Sequence, residues 1–210
     1  MQFTAYNASS VYQVYYAEDF SAVEKASDIA NLRNLSDTLV YIDGADKHLV
    51  VTRDKNNASR CINLNRFVGL ETGTFTMEFD AKIKSGAAYS SQLALATTIP
   101  GGVSANNAAS AYVFALSANT NTTNWTINGT ADDAKSVTLN ADEVYNYKIT
   151  ITTGDTYTVT AVITAADGTE VYNSALTPTT SAKVLELHVQ LGSNYSQPWW
   201  IDNCVTYVKN

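Results

Sequence analysis

The chain has 210 residues, a formal net charge of −7 and a pI near 4.7. Its 13 lysines and arginines are scattered singly, which excludes the clustered cations that a nucleic-acid-binding surface needs to neutralise phosphates. No segment approaches the roughly 18 consecutive apolar residues of a membrane-spanning helix. Thr, Val, Tyr and Ile are abundant, and β-branched and aromatic residues favour strands. The composition therefore indicates an all-β protein that binds neither nucleic acid nor membrane.

The first half of the chain alternates between strand patterns and turn signals. Residues 21–37 read as a loop with at most a helical turn. The clearest alternation lies in 74–83, where Phe75, Phe79 and Ile83 share one face while Glu78 and Asp80 share the other. That pattern is typical of a half-buried antiparallel strand. The predicted strands of this half are 11–20, 39–43, 48–53, 59–64, 74–83, 89–97 and 111–117.

The second half continues in the same way, with turns at Gly154-Asp155 and Asp167-Gly168 between alternating segments. Its predicted strands are 124–128, 144–152, 157–164, 170–175, 184–191 and 200–208. About a dozen short strands joined by polar turns predict an antiparallel β-sandwich of the jelly-roll type. Because no linker or internal repeat interrupts the pattern, we expect one domain over residues 1–210.

The sequence contains no recognisable catalytic set. His48 and His188 are its two histidines, and no Gly-x-Ser-x-Gly elbow accompanies them. Glu78 and Asp80 lie about 7 Å apart at Cα on the outward face of one strand, and glycosidases do use paired carboxylates. However, Lys82 stands where laminarinase-type sandwich glucanases carry a third carboxylate in a Glu-x-Asp-x-Glu strand. We therefore predict a protein without catalytic residues.

Acidic residues at the two ends of the chain predict a structural calcium ion. Glu18 and Asp19 end the first predicted strand, and Asp202 lies in the last one. If these strands are neighbours, the three carboxylates can supply the oxygen ligands that Ca²⁺ prefers, with Asp43 a weaker addition. The alternative is that these carboxylates cap turns or accept backbone hydrogen bonds.

Aromatic residues within a polar loop predict a sugar-binding surface. Sugars stack their apolar faces on aromatic rings, and planar polar side chains bond their hydroxyls. Successive strand residues face opposite sides, so only one of two adjacent tryptophans can enter the core. The alternative is that one lies in the core and the other covers a sandwich edge. The predicted ligand-binding residues are Tyr195, Gln197, Trp199, Trp200, Trp125, Tyr112 and Tyr89.

Cysteine usage and the amino-terminal residues bear on the origin of the chain. Cys61 and Cys204 are its two cysteines, and they either pair or remain separately buried thiols. Residues 1–10 lack a basic segment followed by an apolar one, so we expect no signal peptide within this sequence. Seven Asn-x-Ser/Thr sequons indicate a polar, uncharged surface. We expect a monomeric domain excised from a longer, secreted bacterial protein.

Several segments together resemble a known group of domains. They are 15–20 (YYAEDF), 76–82 (TMEFDAK), 124–129 (NWTING), Asp167-Gly168 and 200–203 (WIDN). They are similar to the concanavalin-like and jelly-roll carbohydrate-binding modules appended to pectate lyases, xylanases and related enzymes of gut and rumen bacteria. The resemblance implies that the terminal Ile-Asp-Asn strand marks the fold. It also implies that Asp202 serves a structural calcium, but it identifies no residue that contacts a ligand.

These observations predict a non-catalytic module that anchors the catalytic domain of a secreted enzyme to plant cell-wall polysaccharide, pectin or hemicellulose. Two alternatives remain open at this stage. One is a small polysaccharide lyase or glycoside hydrolase of the same fold, and the other is a structural or adhesive surface domain. The fold cannot separate the three, because function depends on sites that are built onto folds.

Overall fold

A computed structural model describes residues 12–29, 40–52, 60–66, 72–85, 91–97, 112–118, 124–128, 135–155, 157–181, 185–191 and 197–209. Within them the chain forms two sheets, of eight and six strands, and every described strand pair is antiparallel. One short 3-10 helix, Ala26–Asp28, follows the first strand. The predicted antiparallel β-sandwich of the jelly-roll type is therefore confirmed.

The larger sheet has the order β12-β11-β10-β5-β14-β3-β2, and β1 also pairs with β14. Its strands are β1 (Tyr12–Glu18), β2 (Val40–Ile42), β3 (Leu49–Val51), β5 (Gly73–Ile83), β10 (Tyr145–Thr153), β11 (Thr158–Ala165), β12 (Glu170–Leu176) and β14 (Trp199–Lys209). One edge of β14 pairs with β5 along its length. The other edge pairs first with β3 and then with β1, so the first and last strands are neighbours.

The smaller sheet has the order β4-β13-β6-β7-β8-β9. Its strands are β4 (Arg60–Arg66), β6 (Gln92–Thr97), β7 (Tyr112–Ala118), β8 (Asn124–Ile127), β9 (Lys135–Thr138) and β13 (Leu185–Leu191). The sequence analysis did not predict β9, a four-residue strand in which Val137 is buried while Ser136 and Thr138 are exposed. A pattern this short carries too few alternating positions to stand out.

The core lies between the sheets and is built from the inward residues of the alternating strands. Phe79 of β5 stacks on Tyr147 of β10, with ring centres 5.0 Å apart. Trp125 of the smaller sheet meets Trp199 of the larger sheet edge to face at 5.4 Å. Aromatic pairs in this geometry contribute about 0.5–1.5 kcal/mol beyond the burial of their area. The Trp125–Trp199 contact ties the two sheets together and fixes which face of β14 points inward.

The fold also answers the question of whether Cys204 is paired. Cys204 is a free, buried thiol, and it lies in the larger sheet while Cys61 lies in β4 of the smaller one. The alternative of an unpaired thiol therefore holds for Cys204. Among the described residues, no helix is long and apolar enough to cross a membrane.

Candidate functional site

A cavity of about 140 Å³ lies on the outer face of the larger sheet, around the first half of β14. Trp200 is its aromatic residue and is partly exposed, because it follows Trp199 on a strand whose successive side chains point to opposite faces. The Lys82 ammonium lies 5.0 Å from the centre of the Trp200 ring, within the range of a cation–π interaction. The polar and aromatic lining comprises His48, Asp80, Lys82, Trp200, Asp202 and Asn203.

A β-bulge in β14 shapes this cavity. The register of β14 against β5 shifts between Asp202 and Val205, and Asn203 has a left-handed φ of 51°. Asn tolerates that conformation better than most residues. The bulge lies where β14 passes from its pairing with β3 to its pairing with β1. It turns the Asn203 side chain across the strand, so that its Nδ2 donates to Asp80 Oδ2 at 2.7 Å.

Asp80 is the fixed centre of the polar lining. Its Oδ1 accepts from Asn146 Nδ2 at 2.9 Å, while its Oδ2 accepts from Asn203. Both donors come from neighbouring strands, because Asp80 lies opposite Asn146 on one side and Asp202 on the other. Hydrogen bonds to an ionised acceptor are among the stronger ones in proteins. The carboxylate and both amides are therefore held in place before any ligand arrives.

Asp202 has a less favourable environment. Its Oδ2 lies 3.6 Å from His48 Nε2, and its buried Oδ1 makes no hydrogen bond to any residue that the structure describes. Burial raises the pKa of Asp202, and the charges of Asp80 and Asp19 raise it further, against the opposing effects of the Asn203 N–H and His48. The ionised form of Asp202 is thus disfavoured by its surroundings.

A polar strip continues from the cavity along β5, β10 and β14. Glu78 Oε1 accepts from the Tyr207 hydroxyl at 2.6 Å and lies 2.9 Å from Lys148 Nζ. Burial, the hydrogen bond to Glu78 and its charge raise the pKa of Tyr207 to about 12. Desolvation lowers the pKa of Lys148, but the hydrogen bond and charge of Glu78 raise it on balance.

The strip ends in paired threonine hydroxyls, which join Thr76 to Thr150 at 3.3 Å and Thr74 to Thr152 at 3.1 Å. Trp200 lies opposite Lys82, and Tyr207 lies opposite Thr76, six residues further along β5. At about 3.3 Å per residue, the two aromatic side chains are about 20 Å apart along the sheet. The outer face therefore presents an elongated polar surface with an aromatic ring towards each end.

The predicted sugar-binding residues separate into buried and accessible ones. Trp125 and Trp199 are 0% and 1% exposed, so their prediction as ligand contacts is wrong. Both fill the space between the sheets, where a large apolar ring gains most from burial. The expectation that only one of the two adjacent tryptophans enters the core is confirmed, since Trp200 stays partly exposed.

Of the remaining predicted residues, Tyr112 and Gln197 lie within the described part of the chain. Tyr112 is 8% exposed and packs with Ala94, Ala96 and Ala115 of the smaller sheet, which places it away from the cavity. Its backbone is tied to Thr179 by hydrogen bonds in both directions. Gln197 is partly buried just before β14. Tyr89 and Tyr195 lie outside the described residues.

The acidic residues predicted to bind calcium lie near one another but are engaged locally. Glu18 is opposite Cys204 in the β1–β14 pair, and its Oε1 accepts from the Phe20 N–H at 2.8 Å. Asp19 Oδ1 accepts from the N–H and hydroxyl of Ser21. In the part of the chain that is described, no three His, Cys, Asp or Glu side chains form a metal-binding group. Glu18, Asp19 and Asp202 therefore do not fit a three-carboxylate site, and the calcium ion stays a prediction.

The sequence analysis missed part of the polar cavity lining. His48 and Asn203 in the lining, and Asn146 beside it, carried no local signal, since each stands in an ordinary strand or turn pattern. Asp80 and Lys82 were correctly expected on the outward face of their strand. Local alternation does not reveal that β5 runs between β10 and β14. This strand order brings the residues of the site together.

Solved structures with a similar fold include carbohydrate-related proteins. The Emp47p carbohydrate recognition domain matches with a TM-score of 0.62 and 13% identity, over 97% of this chain and 99% of that one. The GH131 β-glucanase catalytic domain from Podospora anserina matches with a TM-score of 0.60 and 11% identity, over 92% and 95%. A protein of unknown function from Shewanella oneidensis MR-1 matches with a TM-score of 0.62 and 17% identity, over 98% and 89%.

No protein-family model matches the sequence, and no curated protein matches it either. At identities of 11–17%, these structural matches show a shared fold. Function has to be argued from the site itself.

Proposed function

We propose that this chain is a non-catalytic carbohydrate-binding module whose binding surface is the outer face of the larger sheet, centred on Trp200. The observation that supports it is the partly exposed indole beside a set of preset polar groups in one cavity. An aromatic ring offers the apolar face of a sugar a flat partner, while Asp80, Asn203 and His48 are suited to its hydroxyls. Similar folds in a carbohydrate recognition domain and a glucanase agree with this proposal.

Preorganisation favours binding at this surface. Asn146 and Asn203 each already donate a hydrogen bond to Asp80, so a ligand does not have to order these three side chains. Immobilising a flexible side chain on binding costs about 0.5–1.5 kcal/mol, and that cost is reduced here. The strip of about 20 Å between Trp200 and Tyr207 suits an extended oligosaccharide better than a single sugar.

The biological setting that we propose is plant cell-wall polysaccharide, pectin or hemicellulose. In this proposal the module is monomeric, belongs to a secreted bacterial protein and brings the catalytic domain of that protein to its substrate. The resemblance to accessory modules supports this setting, as does the polar, aromatic-bearing outer face.

A non-catalytic role is supported by the hydrogen bonds and the ion pair that Glu78 and Asp80 already make within the protein. Glu78 accepts from Tyr207 and pairs with Lys148, while both oxygens of Asp80 accept amide protons. One oxygen of Glu78 and both oxygens of Asp80 are therefore already engaged within the protein, which disfavours the acid–base roles of glycoside hydrolysis for this pair. The observation that favours the alternative, a hydrolase or lyase, is the raised pKa of Asp202 beside His48, since perturbed acids are typical of active sites.

Affinity electrophoresis against plant polysaccharides, followed by titration with the retained ones, tests the proposal. Trp200→Ala should weaken binding by about 1–3 kcal/mol, by analogy with bases stacked on aromatic side chains. Val171→Ala is the matched control, because Val171 is an exposed apolar residue of β12, at the sheet edge. It should leave binding unchanged.

Two results would contradict the proposal. If no glycan is retained, or if Trp200→Ala and Val171→Ala weaken glycan binding equally, the outer face is not the binding surface. Release of reducing or unsaturated sugars that disappears in Asp202→Asn would establish the enzyme alternative instead.

A further inference from the structure

We propose that the site around Trp200 selects neutral glycans and rejects uronate-rich ones, so that hemicellulose rather than de-esterified pectin is its ligand class. This inference rests on the proposed function. Its basis is the charge distribution around the cavity, in which two carboxylates occupy fixed positions directly opposite each other on adjacent strands.

Asp80 and Asp202 are these specificity-determining residues. They are direct partners in the β5–β14 pair, and both line the cavity. Asp80 cannot rotate away without breaking its bonds to Asn146 and Asn203. Asp202 is mostly buried, with 19% of its side chain exposed. A ligand therefore meets both carboxylates in the positions that they occupy now.

Charges near this pair add to the negative potential. Asp19 lies close enough to raise the pKa of Asp202, as Asp80 does. Backbone N–H groups of the following turn donate to Asp43 and keep its pKa low, and the nearby charges of His48 and Lys82 lower it further. Among the described residues lining the cavity, Lys82 and His48 are the basic ones. Two carboxyl groups in the lining and two more within electrostatic reach thus face one lysine and one histidine.

Lys148, the next cation along the strip, does not offset this imbalance. Its ammonium lies 2.9 Å from Glu78 Oε1, so its charge is already matched within the protein. A uronate arriving at the strip would have to compete with Glu78 for it. Along the described part of the strip, Lys82 is therefore the cation that a ligand carboxylate meets without first displacing Glu78.

The chemical consequence differs for the two classes of glycan. Neutral sugars bring hydroxyl groups, which donate to carboxylates in charge-assisted hydrogen bonds. A uronate brings a further negative charge, which the two carboxylates repel, most strongly when little salt is present to screen them. Specificity of this kind arises from repulsion of the wrong ligand as well as attraction of the right one.

The test compares an acid polymer with its neutral ester, which has the same sugar backbone, and adds a neutral hemicellulose. Wild-type protein is titrated with polygalacturonate, with fully methyl-esterified homogalacturonan, and with a neutral xylan, at low and high salt. We expect the esterified polymer to bind at least about tenfold more tightly than the acid form at low salt, and we expect the gap to narrow at high salt because surface charges are screened.

Isosteric variants assign the effect to the cavity. The readout is the ratio of the affinity for the acid polymer to that for its ester. Asp202→Asn should raise this ratio several-fold, and Asp43→Asn is a second variant on the exposed rim in case the first folds poorly. Asp155→Asn is the matched control: it makes the same change in net charge at an exposed turn between β10 and β11. It should leave the ratio unchanged.

The possible outcomes separate the two proposals. Equal or tighter binding of the acid polymer at low salt would overturn the charge selection while leaving carbohydrate binding intact. So would an equal rise of the ratio in Asp155→Asn, since repulsion would then come from the net charge of −7 as a whole. Binding of none of the three polymers would overturn the proposed function itself, and the inference with it.

Discussion

The two faces of the larger sheet use the same strands for different purposes. Trp199 and Trp200 are adjacent in β14, yet Trp199 is 1% exposed against Trp125 while Trp200 lies beside Lys82 at the edge of a cavity. On the inner face, aromatic and aliphatic side chains gain stability by leaving water. On the outer face, polar side chains hydrogen-bond one another and remain accessible. The difference shows that residue type does not distinguish a core tryptophan from a partly exposed one.

The contrast is sharpest in the hydrogen-bonded groups. The inner residues of β5 and β10 meet by packing, as in the stacked pair of Phe79 and Tyr147. The outer residues of the same strands meet through Asp80 with Asn146 and through Glu78 with Lys148. Substitutions on the inner face should therefore change folding, and those on the outer face should change recognition.

The largest effect is expected from Trp199→Ala. Removing a fully buried tryptophan should cost about 3–5 kcal/mol of unfolding free energy, measured by denaturant titration. Trp200→Ala, its neighbour, should cost less than about 1 kcal/mol, as is usual for surface positions. Similar losses in the two variants would contradict the assignment of the faces.

A smaller loss of unfolding free energy is expected from Glu78→Gln on the outer face. The change removes the charge that holds Tyr207 and Lys148, and it should cost about 1 kcal/mol at neutral pH, because the group is partly exposed and screened. The pKa of Tyr207, about 12, should fall once the carboxylate no longer opposes its ionisation. Alkaline titration followed by tyrosinate absorbance, with Tyr207→Phe to identify the signal, measures the shift. An unchanged Tyr207 pKa would show that burial alone sets it.

The smallest effect, with the opposite sign, is expected from Asp202→Asn in excess chelator. Burial raises the pKa of Asp202, so ionisation destabilises the folded protein as the pH rises through that value. The variant carries no such charge. At neutral pH its free energy of unfolding should exceed that of the wild type by about 1 kcal/mol or less, so it should melt at a slightly higher temperature. In acid the stabilities of the two proteins should converge.

The same melting experiment, repeated in calcium, tests the metal prediction. Should Glu18, Asp19 and Asp202 hold a calcium ion, chelator would lower the melting temperature of the wild type, and Asp202→Asn would melt below it in calcium. A wild-type melt that is the same with and without chelator would rule out a structural calcium ion.

Much of the fold was predictable because strand alternation is a local property. The residues from Met77 to Ile83 alternate in the sequence and alternate in burial in the structure. The adjacency of the first and last strands was a conditional expectation, and β1 does pair with β14. The predicted site was less accurate. Tryptophan is a residue type that often stacks on sugars, but Trp125 and Trp199 are needed in the core.

What the sequence determined by itself was the strand periodicity, and with it the opposite orientations of Trp199 and Trp200 and the outward orientation of Glu78 and Asp80. Which side chains meet on the outer face was decided by the tertiary structure. Asp80 bonds Asn146 and Asn203 across separations of 66 and 123 residues, and Glu78 bonds Tyr207 across 129. Such contacts follow from the order and register of strands, which depend on how the whole core packs. Local alternation determines which face a side chain occupies, and only the assembled sheet determines its neighbours.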